Sequence, residues 1–264
     1  MVSQSPSSIR LGWLRSCWVF QPATLAQLTI LAEASQTRHF ARRAEIQRRG
    51  SPADHLLLLA RGRAKICLPS PDNGGEYLVA LATEGTVFGE VAFFDELSRA
   101  SSLVALSDCE VVSIPRRWFA PFLESNPAVA SRLLALTCDK LRLSLELIHT
   151  NRFLDMSARF YRRLQYLALV DSRMTDEGLR IDHGLAQYDL ANSIGASREA
   201  FNKLISRWKH DGLVDYGRGY LVVRDGAALA RCLPPGSRQD SVLGAEIRAN
   251  PNFFSGGRLS LVSD

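Results

Sequence analysis

The chain has 264 residues, 46% hydrophobic and 22% charged, with a formal net charge of +5, a composition that fits a soluble globular protein and excludes a disordered one. The small basic excess suits nucleic acid and an ordinary solvated surface equally well, while the apolar run over residues 11–20 is too short to cross a bilayer and carries Arg15. Five scattered cysteines and five scattered histidines lack metal or iron–sulfur spacing, and no P-loop, HExxH or GxSxG motif is present, so the sequence offers no catalytic residue and no metal site, and reads as a cytoplasmic protein with reduced thiols.

Residues 1–21 read as a leader, either a packing segment or a poorly ordered one. A helix is expected over 22–35, with Leu25, Leu28, Leu31 and Ala32 on one side. From about 40 to 115 short apolar runs at 55–60, 64–68, 77–82, 103–106 and 111–114 alternate with turn signals at 49–52, 61–62, 71–75 and 84–85. That texture predicts an antiparallel sandwich or barrel. Residues 128–154 contain neither Gly nor Pro, and apolar residues at 134, 138, 141, 145 and 148 repeat at coiled-coil spacing. Leu133, Leu136, Leu143 and Leu147 make a second apolar face, so one face can cover the β-domain while the other meets a second copy of the chain. A helix buried within one chain has the same pattern. Further helices are expected at 155–170, 188–194 and 197–210, the last two separated by Gly195-Ala196. The stretch 171–178 reads as a polar connection, 212–224 as a hairpin turning at Gly217–Gly219, and 230–264 as a flexible tail.

Residues 88–104 read FGEVAFFDELSRASSLV. A buried site for a cyclic nucleotide needs one arginine and several backbone N–H groups for the phosphate, and a carboxylate for the ribose 2′-hydroxyl. The stretch resembles the phosphate-binding cassette of cyclic-nucleotide-binding domains, with Gly50, Gly62 and Gly85 where that β-roll needs turn glycines. The resemblance implies a ligand site of Gly89, Glu90, Val91, Arg99, Ala100 and Ser101, with Glu90 on the ribose and Arg99 on the phosphate. Ala100 stands where cGMP-preferring domains often carry a hydroxyl, which leans toward cAMP. Ser144 matches a position on the long helix at which the family touches adenine, although Leu145 replaces a second hydroxyl there.

Residues 188–213 read YDLANSIGASREAFNKLISRWKHDGL. Leu190, Ile194, Ala200, Leu204, Ile205 and Trp208 are expected to face a core, leaving Ser197, Arg198, Glu199, Asn202 and Lys203 at the outward N-terminal end of the second helix. This segment is similar to the winged helix-turn-helix of the Crp/Fnr family, the cyclic AMP receptor protein/fumarate–nitrate regulator group. That resemblance implies an α+β chain with an N-terminal antiparallel β-roll over 22–126, a dimerisation helix over 127–154, a winged helix-turn-helix over 155–229 and a tail over 230–264. It also implies a homodimer that binds a palindromic duplex with TGTGA-like half-sites, uses a cyclic nucleotide as effector and no cofactor, works with RNA polymerase, and touches no membrane. The alternative keeps the fold and the DNA binding, but with no effector or a different small molecule. A regulatory subunit of a partner enzyme, or an enzyme in its own right, fits the helix-turn-helix less well.

Overall fold

The computed structural model of the chain describes residues 5–70 and 75–231, which form two compact units: residues 5–67 with 80–141, and residues 68–79 with 142–231. The turn residues 71–74 and the tail from 232 onward lie outside the described residues.

The first unit opens with α1 (Pro6–Ser16), capped by the Ser5 hydroxyl and carrying Pro at its first position, where the missing N–H costs nothing. A short 3₁₀ turn follows over Trp18–Phe20. Leu14, Cys17, Val19 and Phe20 are buried in the same core as α2 (Leu25–Ala34), so the described part of the expected leader is a packing segment. α2 starts later than expected because the Thr24–Gln27 capping box fixes its N-terminus. Leu28, Leu31 and Ala32 are buried, but Leu25 is 56% exposed, a correction to the expected face. As the first helical residue, Leu25 leans back past the end of the core that the later turns cover.

The strands here are β1 (Gln36–Phe40), β2 (Glu45–Gln47), β3 (His55–Arg61), β4 (Ala64–Pro69), β5 (Glu76–Ala82) and β6 (Val87–Phe88), then, after the short helix α3 (Glu90–Asp95), β7 (Ser102–Ala105) and β8 (Cys109–Pro115), with the end of β4 and the start of β5 belonging to residues 68–79 of the second unit. They form two four-stranded sheets, ordered β1-β8-β3-β6 and β2-β7-β4-β5. β3 explains the run HLLLLA. Leu56, Leu58 and Ala60 pack against α1, α2 and the helix α4 (Arg116–Glu124), whereas Leu57 and Leu59 face Ile46, Leu103 and Phe88. Both faces of the strand are covered, so the usual polar alternation is absent.

The long helix α5 (Pro127–Phe153) follows. Val129, Leu133 and Leu136 join the first unit's core, whereas Leu134, Leu141, Leu145 and Ile148 are each at least 57% exposed. The stripe expected at coiled-coil spacing therefore exists and is exposed in the single chain, while Leu133, Leu136 and Leu143 of the other apolar face are buried.

In the second unit, Asp155 caps α6 (Met156–Val170) by accepting from the Ala158 N–H at 2.8 Å. The polar stretch after it is not a plain connection. It forms the antiparallel pair β9 (Ser172–Thr175) and β10 (Gly178–Ile181), with Gly178 at φ 128°, a conformation open mainly to glycine. α7 (Gln187–Ser193), α8 (Arg198–His210), and the hairpin β11 (Val214–Gly217) and β12 (Tyr220–Val223) complete the wing, whose sheet runs β11-β12-β10-β9. A last short helix, α9, spans Gly226–Arg231. Phe160 meets Phe201 edge-on at 4.8 Å and stacks with Trp208 at 5.4 Å. Ala200 is only half-buried, and Phe201 beside it takes the core position instead.

Candidate functional site

One pocket of the first unit, about 470 Å³, is lined by Gly89, Glu90, Val91, Arg99, Ala100 and Ser101, together with Gln47, Ile66, Phe88, Leu103 and Lys140. The six cassette residues thus come together on one cavity. Ser144 does not join them: it is exposed on α5, one turn from Leu141 and Ile148 on the uncovered stripe.

Arg99 is held before any ligand arrives. Its backbone N–H donates to Ser51 O at 3.0 Å, and its carbonyl accepts from the Gly50 N–H at 2.8 Å. Gly50 can make that turn because its φ is 81°. The side chain is 5% exposed, Nη2 donates to the His55 carbonyl, and Nη1 has no partner. Burial draws the Arg99 guanidinium below its ordinary value, while Asp54 and Glu90 act in the opposite sense; an arginine stays charged through such a shift. Gly89 is fixed twice over: its φ is 84°, and a Cβ there would collide with Arg99 Nη1.

Glu90 is 2% exposed at the start of α3. Its Oε1 accepts from Lys140 Nζ at 2.8 Å, and Lys140 also donates to the Val87 carbonyl at 3.0 Å. Glu90 Oε2, like Arg99 Nη1, has no partner. Leaving a buried charged atom unpaired costs on the order of 1–3 kcal/mol or more, so two such atoms of opposite sign beside one cavity mark a place prepared for a ligand. Arg99 and Lys140 against Glu90 leave the pocket with one net positive charge. Lys140 and Gln47, whose Nε2 donates to Ser101 O at 2.9 Å, were not found from the sequence. The only signal for Lys140 is its place one helical turn before Ser144.

In the second unit, Gly195 turns at φ 63° and Ser197 caps α8 by accepting from the Ala200 N–H at 3.2 Å. Arg198, Glu199 and Lys203 are exposed and Asn202 is half-buried, all at the N-terminal end of α8. Glu199 and Lys203 pair at 2.8 Å with both side chains more than three-quarters exposed, a contact that contributes little to stability. Arg207 donates to Ser157, and Arg224 is tied to Asp215 at 2.6 Å. Lys209 and Arg218 are exposed.

Among the described residues no His, Cys, Asp and Glu group could hold a metal ion, and no helix is long and apolar enough to cross a membrane.

A β-roll with a pocket lined by buried Arg99 and Glu90, followed by a winged helix-turn-helix, has the make-up of a ligand-binding transcription regulator. Known families match each part: the cyclic nucleotide-binding domain over residues 37–126 and the Crp-like helix-turn-helix domain over 158–232. The chain belongs to the Crp/Fnr family of transcriptional regulators. It is 30% identical over 183 residues to the cyclic AMP receptor protein of Thermus thermophilus, covering 68% of this chain and 80% of that one. It is 28% identical over 213 residues to the CRP-like cAMP-activated global transcriptional regulator of Mycobacterium tuberculosis H37Rv, covering 81% of this chain and 95% of the relative. Its fold is similar to that of the c-di-GMP responsive global regulator CLP of Xanthomonas campestris, with a TM-score of 0.67 at 20% identity over 76% of this chain and all of that one. The chain thus combines a cyclic-nucleotide-binding domain with a DNA-binding helix-turn-helix and acts in transcription regulation, and its relatives are regulators rather than enzymes.

Proposed function

We propose that the chain is a cytoplasmic homodimer that binds a palindromic DNA site under allosteric control by a cyclic nucleotide, with cAMP preferred to cGMP. The observation that carries this reading is the pair of buried, unpartnered atoms Arg99 Nη1 and Glu90 Oε2 on one cavity. Arg99 Nη1 takes a phosphate oxygen, Glu90 Oε2 accepts the ribose 2′-hydroxyl, and Gly89, Val91 and Ser101 give the phosphate close backbone approach. The single net positive charge matches the single negative charge of a cyclic phosphate. Ala100 offers no hydroxyl to a guanine amino group, which favours adenine.

The uncovered α5 stripe supports the dimer. Leu134, Leu141, Leu145 and Ile148 are exposed in one chain and have the spacing of a two-helix seam. Ser144 lies on that stripe, so in this reading it reaches the adenine of the partner's nucleotide rather than its own. The boundaries 22–126, 127–154 and 155–229 separate sensing, dimerisation and DNA-binding roles.

On DNA, Arg198 and Glu199 read G·C pairs of a TGTGA-like half-site, Arg by bidentate donation and Glu by accepting from cytosine. Ser197, Asn202 and Lys203 complete the contact, for which the weak Glu199–Lys203 pair opens. The two recognition helices enter major grooves about 34 Å apart, and the bound dimer contacts RNA polymerase.

Calorimetric titration with cAMP and cGMP, on the native protein and on Arg99→Ala, tests the reading together with gel-shift on a palindromic duplex. The expected result is micromolar or tighter cAMP binding that the variant loses, and duplex binding that cAMP strengthens. A folded protein that binds duplex but neither nucleotide overturns the cyclic-nucleotide part and leaves a regulator with another effector or none.

A further inference from the structure

The second unit holds another pocket, between the C-terminal half of α5, α6 and the end of α7. Leu143, Leu147, Leu169 and Ile194 give it apolar walls. Four donor atoms on its lining, from three residues, are unusual. Thr150 is 6% exposed and its hydroxyl has no partner, although a helical threonine ordinarily bonds back to its own helix. The Nε atoms of Arg159 and Arg162, and Nη1 of Arg162, are buried and likewise unpartnered. The arginine beside them differs: Arg163 donates to the carbonyls of Leu78, Val79 and Ser193 and is fully used. Glu146 is the only acidic residue on the lining. A mostly apolar cavity with a few convergent polar groups is the usual form of a small-molecule site. The unpartnered donors here belong to two guanidiniums and one hydroxyl, and the Gln165 side chain shares the lining with them.

We infer that this cavity binds an amphipathic carboxylate, its carboxylate on Arg162, Arg159 and Thr150 and its apolar body against Leu143, Leu147, Leu169 and Ile194. A carboxylate accepts charge-assisted bonds from guanidinium N–H groups, and the Nε atoms of Arg162 and Arg159 are two such donors that the fold leaves unpartnered. Both long helices contribute to the lining, α5 through Leu143 to Asn151 and α6 through Arg159 to Leu169. A ligand here therefore fixes the angle at Leu154-Asp155 where the chain passes from one helix to the other. On the DNA-binding reading above, on which this consequence rests, occupancy changes operator affinity independently of the cyclic nucleotide.

The test uses the full chain and octanoate as probe, by calorimetry with and without saturating cAMP. Binding with one site per chain is expected, kept at the same stoichiometry when cAMP is present, and weakened about tenfold or more by Arg162→Ala, as for a lost charge-assisted bond. Arg162→Gln, which keeps length and a donor but not the charge, reads the same point if the alanine variant fails to fold. No octanoate binding by folded protein, binding undiminished in either variant, or loss of the site to cAMP overturns the proposal. Displacement of octanoate by equimolar inorganic phosphate overturns the apolar half of it. Gel-shift with octanoate closes the argument: unchanged duplex affinity at full occupancy overturns the regulatory consequence. A protein that binds octanoate but no duplex refutes the DNA reading alone.

Discussion

Gly89→Ala is the sharpest probe of the cyclic-nucleotide pocket. The residue sits at φ 84°, and an added Cβ collides with Arg99 Nη1. Holding alanine in the left-handed region costs about 1–2 kcal/mol, which lowers the unfolding temperature by a few degrees. The larger effect falls on binding. Arg99 is anchored by its backbone to Gly50 and Ser51 and cannot withdraw as a whole, so relief comes from swinging the guanidinium away from the His55 carbonyl. A charge-assisted bond to the ligand is then lost, about 1.5–3 kcal/mol, or about one to two decades in affinity. The assay pairs thermal unfolding with titration of cAMP. A variant that melts within a few degrees of the native protein and binds cAMP as tightly refutes both the steric argument and the role given to Arg99.

Lys140→Met removes the partner of Glu90 Oε1, stranding a carboxylate 2% exposed. A stability loss of about 2–3 kcal/mol is expected in urea unfolding, together with weaker cAMP binding, because the pocket loses its positive charge. Burial pushes the Cys17 thiol from 9.0 up to about 11. The folded state then holds its proton more tightly than the unfolded state, so Cys17 stabilises below pH 9 and that contribution is lost as pH rises from 9 to 11. The native protein should lose about 2–3 kcal/mol more than Cys17→Ala between pH 8 and 11, and parallel urea midpoints for the two refute the assignment. Leu145→Glu places a charge on the exposed α5 stripe. Equilibrium sedimentation should show a dimer for the native chain and a monomer for the variant, and a variant that stays dimeric would place the seam elsewhere.

The β-roll and the helix-turn-helix were legible in the sequence because their signals are local. Turn glycines, short apolar runs, the Ser197 cap and Gly195 each act within a few residues. What escaped depends on distant partners. Residues 171–178 look polar because β9 is an edge strand with little of its surface covered, so the β9–β10 pair has no hydrophobic alternation to announce it. Lys140 looks like a solvated helix residue, and only the folded chain shows that it meets a carboxylate 50 positions earlier. The leader could be read either as packing or as disorder because Leu14 and Phe20 are buried by α2, α4 and α5 rather than by each other. Arg162 and Thr150 form no motif at all; their spacing on two separate helices becomes a site only when α5 and α6 meet.

On the proposed cyclic-nucleotide reading, the double backbone anchorage of Arg99 on Gly50 and Ser51 also sets how fast the pocket fills. With the arginine already in place, a nucleotide docks onto waiting donors and does not wait for a rare open conformer. The observed association rate then rises linearly with ligand concentration instead of reaching a plateau. Different cyclic nucleotides arrive at similar rates and are told apart by how long they stay.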